Sequence, residues 1–253
     1  MIGALRTVDP GAAEAALRRS ERRKLLAPTL LLLTFATGVI DAVSYLAIGS
    51  VFTANMTGNL ALIGFALGGA PGFSISRTVA SLGAFAAGAV IAGRIAATWH
   101  PRPFVWMQLV TRVELVLLAI AAALTTGLHT GLDTDDSPLR YLVVVVLATA
   151  MGIRNATVRR LGFRDLPTTV ATSTITDLAT ESRLGGGERR NQVRRASAIG
   201  VMLLGAAIGA ALVREASALA AFALALAAVG AAVGHQQVIA QWHPAAAAVP
   251  GDA

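Results

Sequence analysis

The sequence predicts an all-α fold, a polytopic membrane helix bundle of seven to eight hydrophobic segments built as two related halves of about four. Composition points to the membrane. Of 253 residues, 55% are hydrophobic and 14% charged, with a mean hydropathy of +0.65, whereas soluble chains carry about 25% charged residues. Segment length points to the spans. At about 1.5 Å per residue a helix needs roughly 20 apolar residues to cross the hydrocarbon layer, and runs of that order recur along the chain. Charge placement points to orientation. Lys and Arg number 21 against 14 Asp and Glu, a net charge of +7, and the arginines fall largely between the apolar runs. A basic excess can mark nucleic-acid binding. Interleaved with spans it marks the cytoplasmic face, so the expected partner is the lipid bilayer and no nucleic acid.

Residues 1–27 read as a polar, basic, cytoplasmic N-terminal segment ending in Arg18, Arg19, Arg22, Arg23 and Lys24, with a short surface helix over 12–23. The apolar run that follows is longer than a signal-peptide core and no A-x-A site closes it, so it is expected to be a first span rather than a cleaved leader. Eight stretches then qualify or nearly qualify: about 28–47, 52–70, 79–99, 104–126, 139–157, 167–182, 196–213 and 217–235. The sixth, PTTVATSTITDLATES, has 16 residues, half of them hydroxyl-bearing. It suits a short or broken span, or a re-entrant segment lined by protein and water. The membrane domain is expected over 28–235, with halves of about 28–126 and 139–235, and 236–253 is expected as a flexible tail. Counting crossings meets a conflict. Eight full spans with the N-terminus inside would put the connection carrying Arg154, Arg159, Arg160 and Arg164 outside, against the charge rule. A re-entrant sixth stretch would return both of its basic flanks to the inside.

The halves show a faint repeat. Residues 35–42, FATGVIDA, align with 149–156, TAMGIRNA, at an offset of 114, which sets Gly38 on Gly152 and Asp41 on Asn155. One residue further, Thr57-Gly58-Asn59 falls on Thr172-Ser173-Thr174. Gly83, Gly88 and Gly93 in one half answer Gly200, Gly205 and Gly209 in the other. A four-plus-four duplication accounts for this, as in many transporters.

Three motifs, GVIDA at 38–42, FTANMTGNL at 52–60, and the pair GIRNA at 152–156 with TTVAT at 168–172, resemble the YoaK-like family of bacterial multi-pass membrane proteins, which carry a domain of unknown function. The similarity covers about 30–233. The second half departs at Arg154, where a Gln often precedes the Asn, and at Ser173, where a Gly often follows the Thr. The resemblance implies a helical protein of the bacterial plasma (inner) membrane and supplies no substrate.

Several side chains sit where lipid contact would be costly. A carboxylate at bilayer depth costs about 2.5–3.5 kcal/mol on insertion scales, so Asp41 should face the bundle interior, with Tyr45 on the same face. It reads either as a proton or cation site or as the structural partner of an arginine. Asn55 and Asn59 are i, i+4 neighbours with Thr57 between them. Their amides suit a polar binding patch or helix–helix glue. Thr168, Thr172 and Thr176 share one helical face ending near Asp177, which suits a water-filled cavity or a surface position. Arg94 with Glu114 suits an ion pair across a helical hairpin, with Arg112 nearby. Four scattered His and no Cys leave no metal-ligand spacing, and no nucleophile motif or phosphate-binding loop occurs. No metal, cofactor or enzymatic activity is therefore expected. The leading functional expectation is secondary transport of a small solute, proton-coupled, along a path lined by Asp41, Asn55, Asn59, Asn155, Thr172 and Asp177. The alternative is a membrane scaffold or partner-binding protein. The oligomeric state is open.

Overall fold

The structure is a computed structural model that describes residues 10–99, 102–127, 137–162, 171–180 and 192–242. Eight α-helices follow in order, with no strand among the described residues: α1 Pro10–Val43, α2 Met56–Leu67, α3 Ile75–Trp99, α4 Pro103–Gly127, α5 Pro138–Arg160, α6 Ala171–Thr180, α7 Gln192–Glu215 and α8 Ala218–Trp242. A π-helical turn, Ser44–Gly49, closes α1. Six segments are long and apolar enough to cross a bilayer: Lys24–Gly49, α3, α4, α5, α7 and α8. The two polar stretches are the exceptions. The second, read as a span over 52–70, is helical only in the 12 residues of α2, and the described part of the sixth is the 10-residue α6. At about 1.5 Å per residue neither helix can cross alone.

Side-chain contacts fix how the helices run. Ser76 meets Tyr141, the Ala84 carbonyl accepts from Thr149 and the Ala96 carbonyl accepts from Arg160, so α3 and α5 are parallel. Gly205 lies against the backbone of Phe35 and Gly209 against Val39, so α1 and α7 are parallel. Glu114 bonds Arg154 and the Leu139 side chain reaches Gly127, so α4 opposes α5. Arg140 bonds the Ile48 carbonyl while Arg154 bonds that of Leu33, so α1 opposes α5 as well. Thr29 meets His235 and Thr111 meets Gln236, which sets α8 against α1 and α4. Hence α1, α4 and α7 point one way and α3, α5 and α8 the other.

This direction has a topological consequence. The chain leaves α1 and starts α3 at the same end of the bundle; the Arg77 side chain packs on Gly49 there. It leaves α5 and starts α7 at the opposite end. Each polar stretch therefore returns to the end from which it set out, one at each end. Six crossings remain, and the charge conflict dissolves. The helix ends flanking the Arg159, Arg160 connection and the Arg194, Arg195 start of α7 lie at the same end as Lys24. The connection carrying Asp133, Asp135 and Asp136 joins helices at the far end.

Close approach explains the glycines. A Cβ on Gly38 would overlap the Met202 carbonyl and crowd the Ala206 nitrogen, and one on Gly152 would do the same to the Phe85 carbonyl and the Ala89 nitrogen. The backbones of α1 and α7, and of α3 and α5, touch at these points because only hydrogen stands between them. The core is otherwise apolar, with Leu30, Leu33, Ile40, Leu147, Met151 and Phe222 inaccessible or nearly so. Large apolar side chains such as Leu60, Val116 and Leu203 are exposed, as lipid contact allows.

Two expected boundaries shift. The polar N-terminal segment is not separate: from Pro10 one helix runs into the first span, with Pro28 inside it. The C-terminal tail starts later than 236, since α8 continues to Trp242 and buries Gln236 and Ile239.

Candidate functional site

The site is built where α1 gives out. Its last turn widens into the π-helical segment Ser44–Gly49, and Ser50, at φ +54°, turns the chain back. Residues 51–55 then run without regular structure beside α1. At membrane depth such backbone needs partners from within the protein, and two side chains supply them. The Asp41 Oδ1 accepts from the N–H groups of Thr53 at 3.1 Å and Ala54 at 2.9 Å, with the Thr53 hydroxyl at 3.5 Å. The Asn59 amide pairs with Phe52 as a neighbouring strand would: its Oδ1 accepts from the Phe52 N–H at 2.9 Å and its Nδ2 donates to the Phe52 carbonyl at 2.7 Å. Ser81 of α3 donates to that same carbonyl at 2.6 Å. Asn55 caps α2, accepting from the Gly58 N–H at 3.1 Å. Tyr45 stacks on Phe52 with ring centroids 4.8 Å apart.

Below this clamp lies a second buried polar group. Arg154 is completely inaccessible. Its Nη1 donates to Glu114 Oε1 at 2.6 Å and to the Leu33 carbonyl at 3.2 Å, its Nη2 donates to the Thr37 hydroxyl, and the Met151 sulfur lies 3.1 Å from Nη2. Thr37 and Asp41 are one turn apart on α1. One turn before Glu114, the Thr111 hydroxyl accepts from the Gln236 amide at 2.9 Å. Glu114 Oε2, Arg154 Nε and Gln236 Oε1 are buried and have no hydrogen-bond partner among the described residues. Among the described residues this network thus joins two carboxylates and one guanidinium through α1, α4, α5 and α8; the other buried arginines, Arg77 and Arg195, sit in the first turns of α3 and α7.

The candidate residues fare differently. Asp41 does face the interior, as a clamp on the α1–α2 turn. Asn55 and Asn59 do not share a free polar face: both are spent on local backbone, Asn59 is fully buried and Thr57 is exposed. Asn155 is half-buried in α5. Thr168 lies outside the described residues, Thr172 is placed only as part of α6, and Thr176 is exposed. Asp177 pairs with Arg195 at 3.5 Å. α2 packs on α3 and α6 on α7, so the two polar stretches lie at opposite ends and form no common wall. The Arg94–Glu114 pair is corrected to Arg154–Glu114; Arg94 and Arg112 are exposed on the bundle surface. Arg154 was grouped with a connection, yet it sits inside α5. Its signal was present in the sequence, an arginine within an apolar run and a glutamate within the preceding one.

The chain matches the model of a family described as protein of unknown function (DUF1275) over residues 29–234, and it belongs to that family. It is also similar to the UPF0700 transmembrane protein YoaK of Bacillus subtilis (strain 168), 29% identical over 152 residues, which cover 59% of this chain and 64% of that relative. The match thus spans a little under two thirds of the relative's length. No solved structure matches the chain. The chain is an integral, multi-pass membrane protein of a family without a known activity.

Proposed function

We propose that this member of the family is a secondary transporter of a small solute, proton-coupled and built as an inverted repeat in the bacterial plasma membrane. One observation carries the reading: two short helices, α2 and α6, each in a stretch that carries amides or hydroxyls, occupy corresponding places in the chain and enter the bundle from opposite ends. Interrupted segments in corresponding positions of two halves are where transporters of this kind bind substrate. The correspondence extends to the packing. α1 packs on α7 and α8, and α5 packs on α3 and α4. Gly38 meets Met202 and Ala206; 114 residues on, Gly152 meets Phe85 and Ala89, each 117 residues before its counterpart. An exchange of roles between halves offers two conformations of comparable energy, which alternating access requires. The buried charges Asp41, Glu114 and Arg154 support a coupling ion, since ionisable groups at this depth are costly unless used.

On this reading the basic end faces the cytoplasm with the N-terminus, and the chain has no catalytic role and no nucleic-acid partner. Reconstitution in proteoliposomes under an imposed pH gradient tests it. Solute-dependent proton movement is expected for one member of a panel of sugars, amino acids, carboxylates and amines; no response across the panel overturns it. A second reading, a membrane scaffold, is favoured by one observation: the Asn59 amide is spent on Phe52 and Ser81, so this part of the polar stretch acts as glue. The absence of flux together with a stable complex with another membrane protein would favour it.

A further inference from the structure

We infer that Glu114 is a proton-binding site, holding one exchangeable proton on Oε2 in the conformation described here; this deepens the proton-coupled reading and rests on it for its role in transport. The first support is charge balance. Asp41 and Glu114 would together carry two negative charges against the one positive charge of Arg154, and an uncompensated charge in a dry core is far costlier than a neutral acid. The second is the division of partners. Asp41 Oδ1 is met by three donors, which favour its ionised form. Glu114 offers Oε1 to Arg154 at 2.6 Å, but Oε2 is buried with no donor. A buried carboxylate oxygen without a donor leaves a hydrogen bond unmade, whereas a protonated one is itself a donor.

An acceptor waits nearby. Gln236 Oε1 is likewise buried and unmatched, while its own Nε2 is tied to Thr111 at 2.9 Å, one turn from Glu114 on the same face of α4. A proton on Glu114 would turn its orphaned Oε2 into a donor. The charged or titratable groups facing the site are Arg154 from α5, Asp41 from α1 through Arg154, and His235 from α8, whose Nδ1 is held by Thr29 at 2.9 Å. Loss of the proton would leave a net negative charge beside Arg154, and a change of packing between α4, α5 and α8 would be its relief.

Infrared spectroscopy of the purified full-length protein tests this without any transport assay. At neutral pH a protonated carboxyl band is expected. It should shift when glutamate is labelled with carbon-13, stay in place when aspartate is labelled, and vanish in Glu114→Gln, which keeps a carbonyl for Arg154. The labelling arm needs no variant and carries the test if Glu114→Gln fails to fold, since Glu114 is the one buried glutamate among the described residues. No protonated carboxyl band, a band that follows the aspartate label, or a band that survives Glu114→Gln overturns the inference. A band on Glu114 in a protein that moves no solute would leave the proton site standing and overturn only the transport reading.

Discussion

Asn59 and Thr57 are two residues apart and look alike in the sequence, as polar side chains in an apolar run. The structure separates them. Asn59 replaces water for both backbone groups of Phe52, so Asn59→Ala leaves a buried N–H and carbonyl partly unmatched. Each such group costs about 1–3 kcal/mol, although Ser81 still serves the carbonyl. We expect Asn59→Ala to lower the thermal stability of the protein in detergent by the equivalent of about 1–3 kcal/mol and Thr57→Ala, at an exposed position, to leave it within about 0.5 kcal/mol. Equal effects would mean that Asn59 is not the clamp. Arg154 makes the same point about charge. Its neighbours in sequence suggest an interfacial arginine, yet four contacts from three helices hold it in the core, because a guanidinium at that depth must spend its donors inside the protein.

At the scale of elements, the spans were legible and the interruptions only partly so. Length and hydropathy mark α3, α4, α5, α7 and α8 to within a few residues. The same measures mark 52–70 as a span, because an apolar run reads alike whether it crosses or turns back. What breaks it is the left-handed Ser50 and the irregular leg 51–55, which is held by Asp41, 12 residues before Thr53, and by Asn59 and Ser81 on Phe52. That dependence on a distant side chain is invisible to a sliding window. The glycine crossings are also element-scale features. Gly38→Val or Gly152→Val must push two backbones apart, and overpacking of this kind costs about 1–3 kcal/mol. Gly93→Val, where an added Cβ meets nothing within 4 Å, serves as the control. Thermal unfolding in detergent should show large, similar losses for the first two variants and little for the third. A large loss at only one of Gly38 and Gly152 would speak against equivalent crossings.

For the whole molecule, six candidate crossings put the start of α1, the end of α5, the start of α7 and the end of α8 at one end of the bundle. The chain has no cysteine, so single cysteines can be introduced without background. Positions 15, 187 and 246 should label from one side and positions 71 and 132 from the other in oriented vesicles. Labelling of 71 and 132 from the same side as position 15 would mean that α2 and its flanking leg cross. The sequence by itself determined the membrane location and the helical class, because these depend on composition and on the spacing of apolar residues along the chain. It also singled out Asp41, whose cost at depth is a property of one residue. Only the tertiary structure decided that both polar stretches turn back, that Asn59 serves the backbone, and that Glu114 belongs to Arg154 rather than Arg94. Each of these depends on which helices run parallel and which side chains meet across them, and pairing between distant parts of a chain leaves no local trace in either.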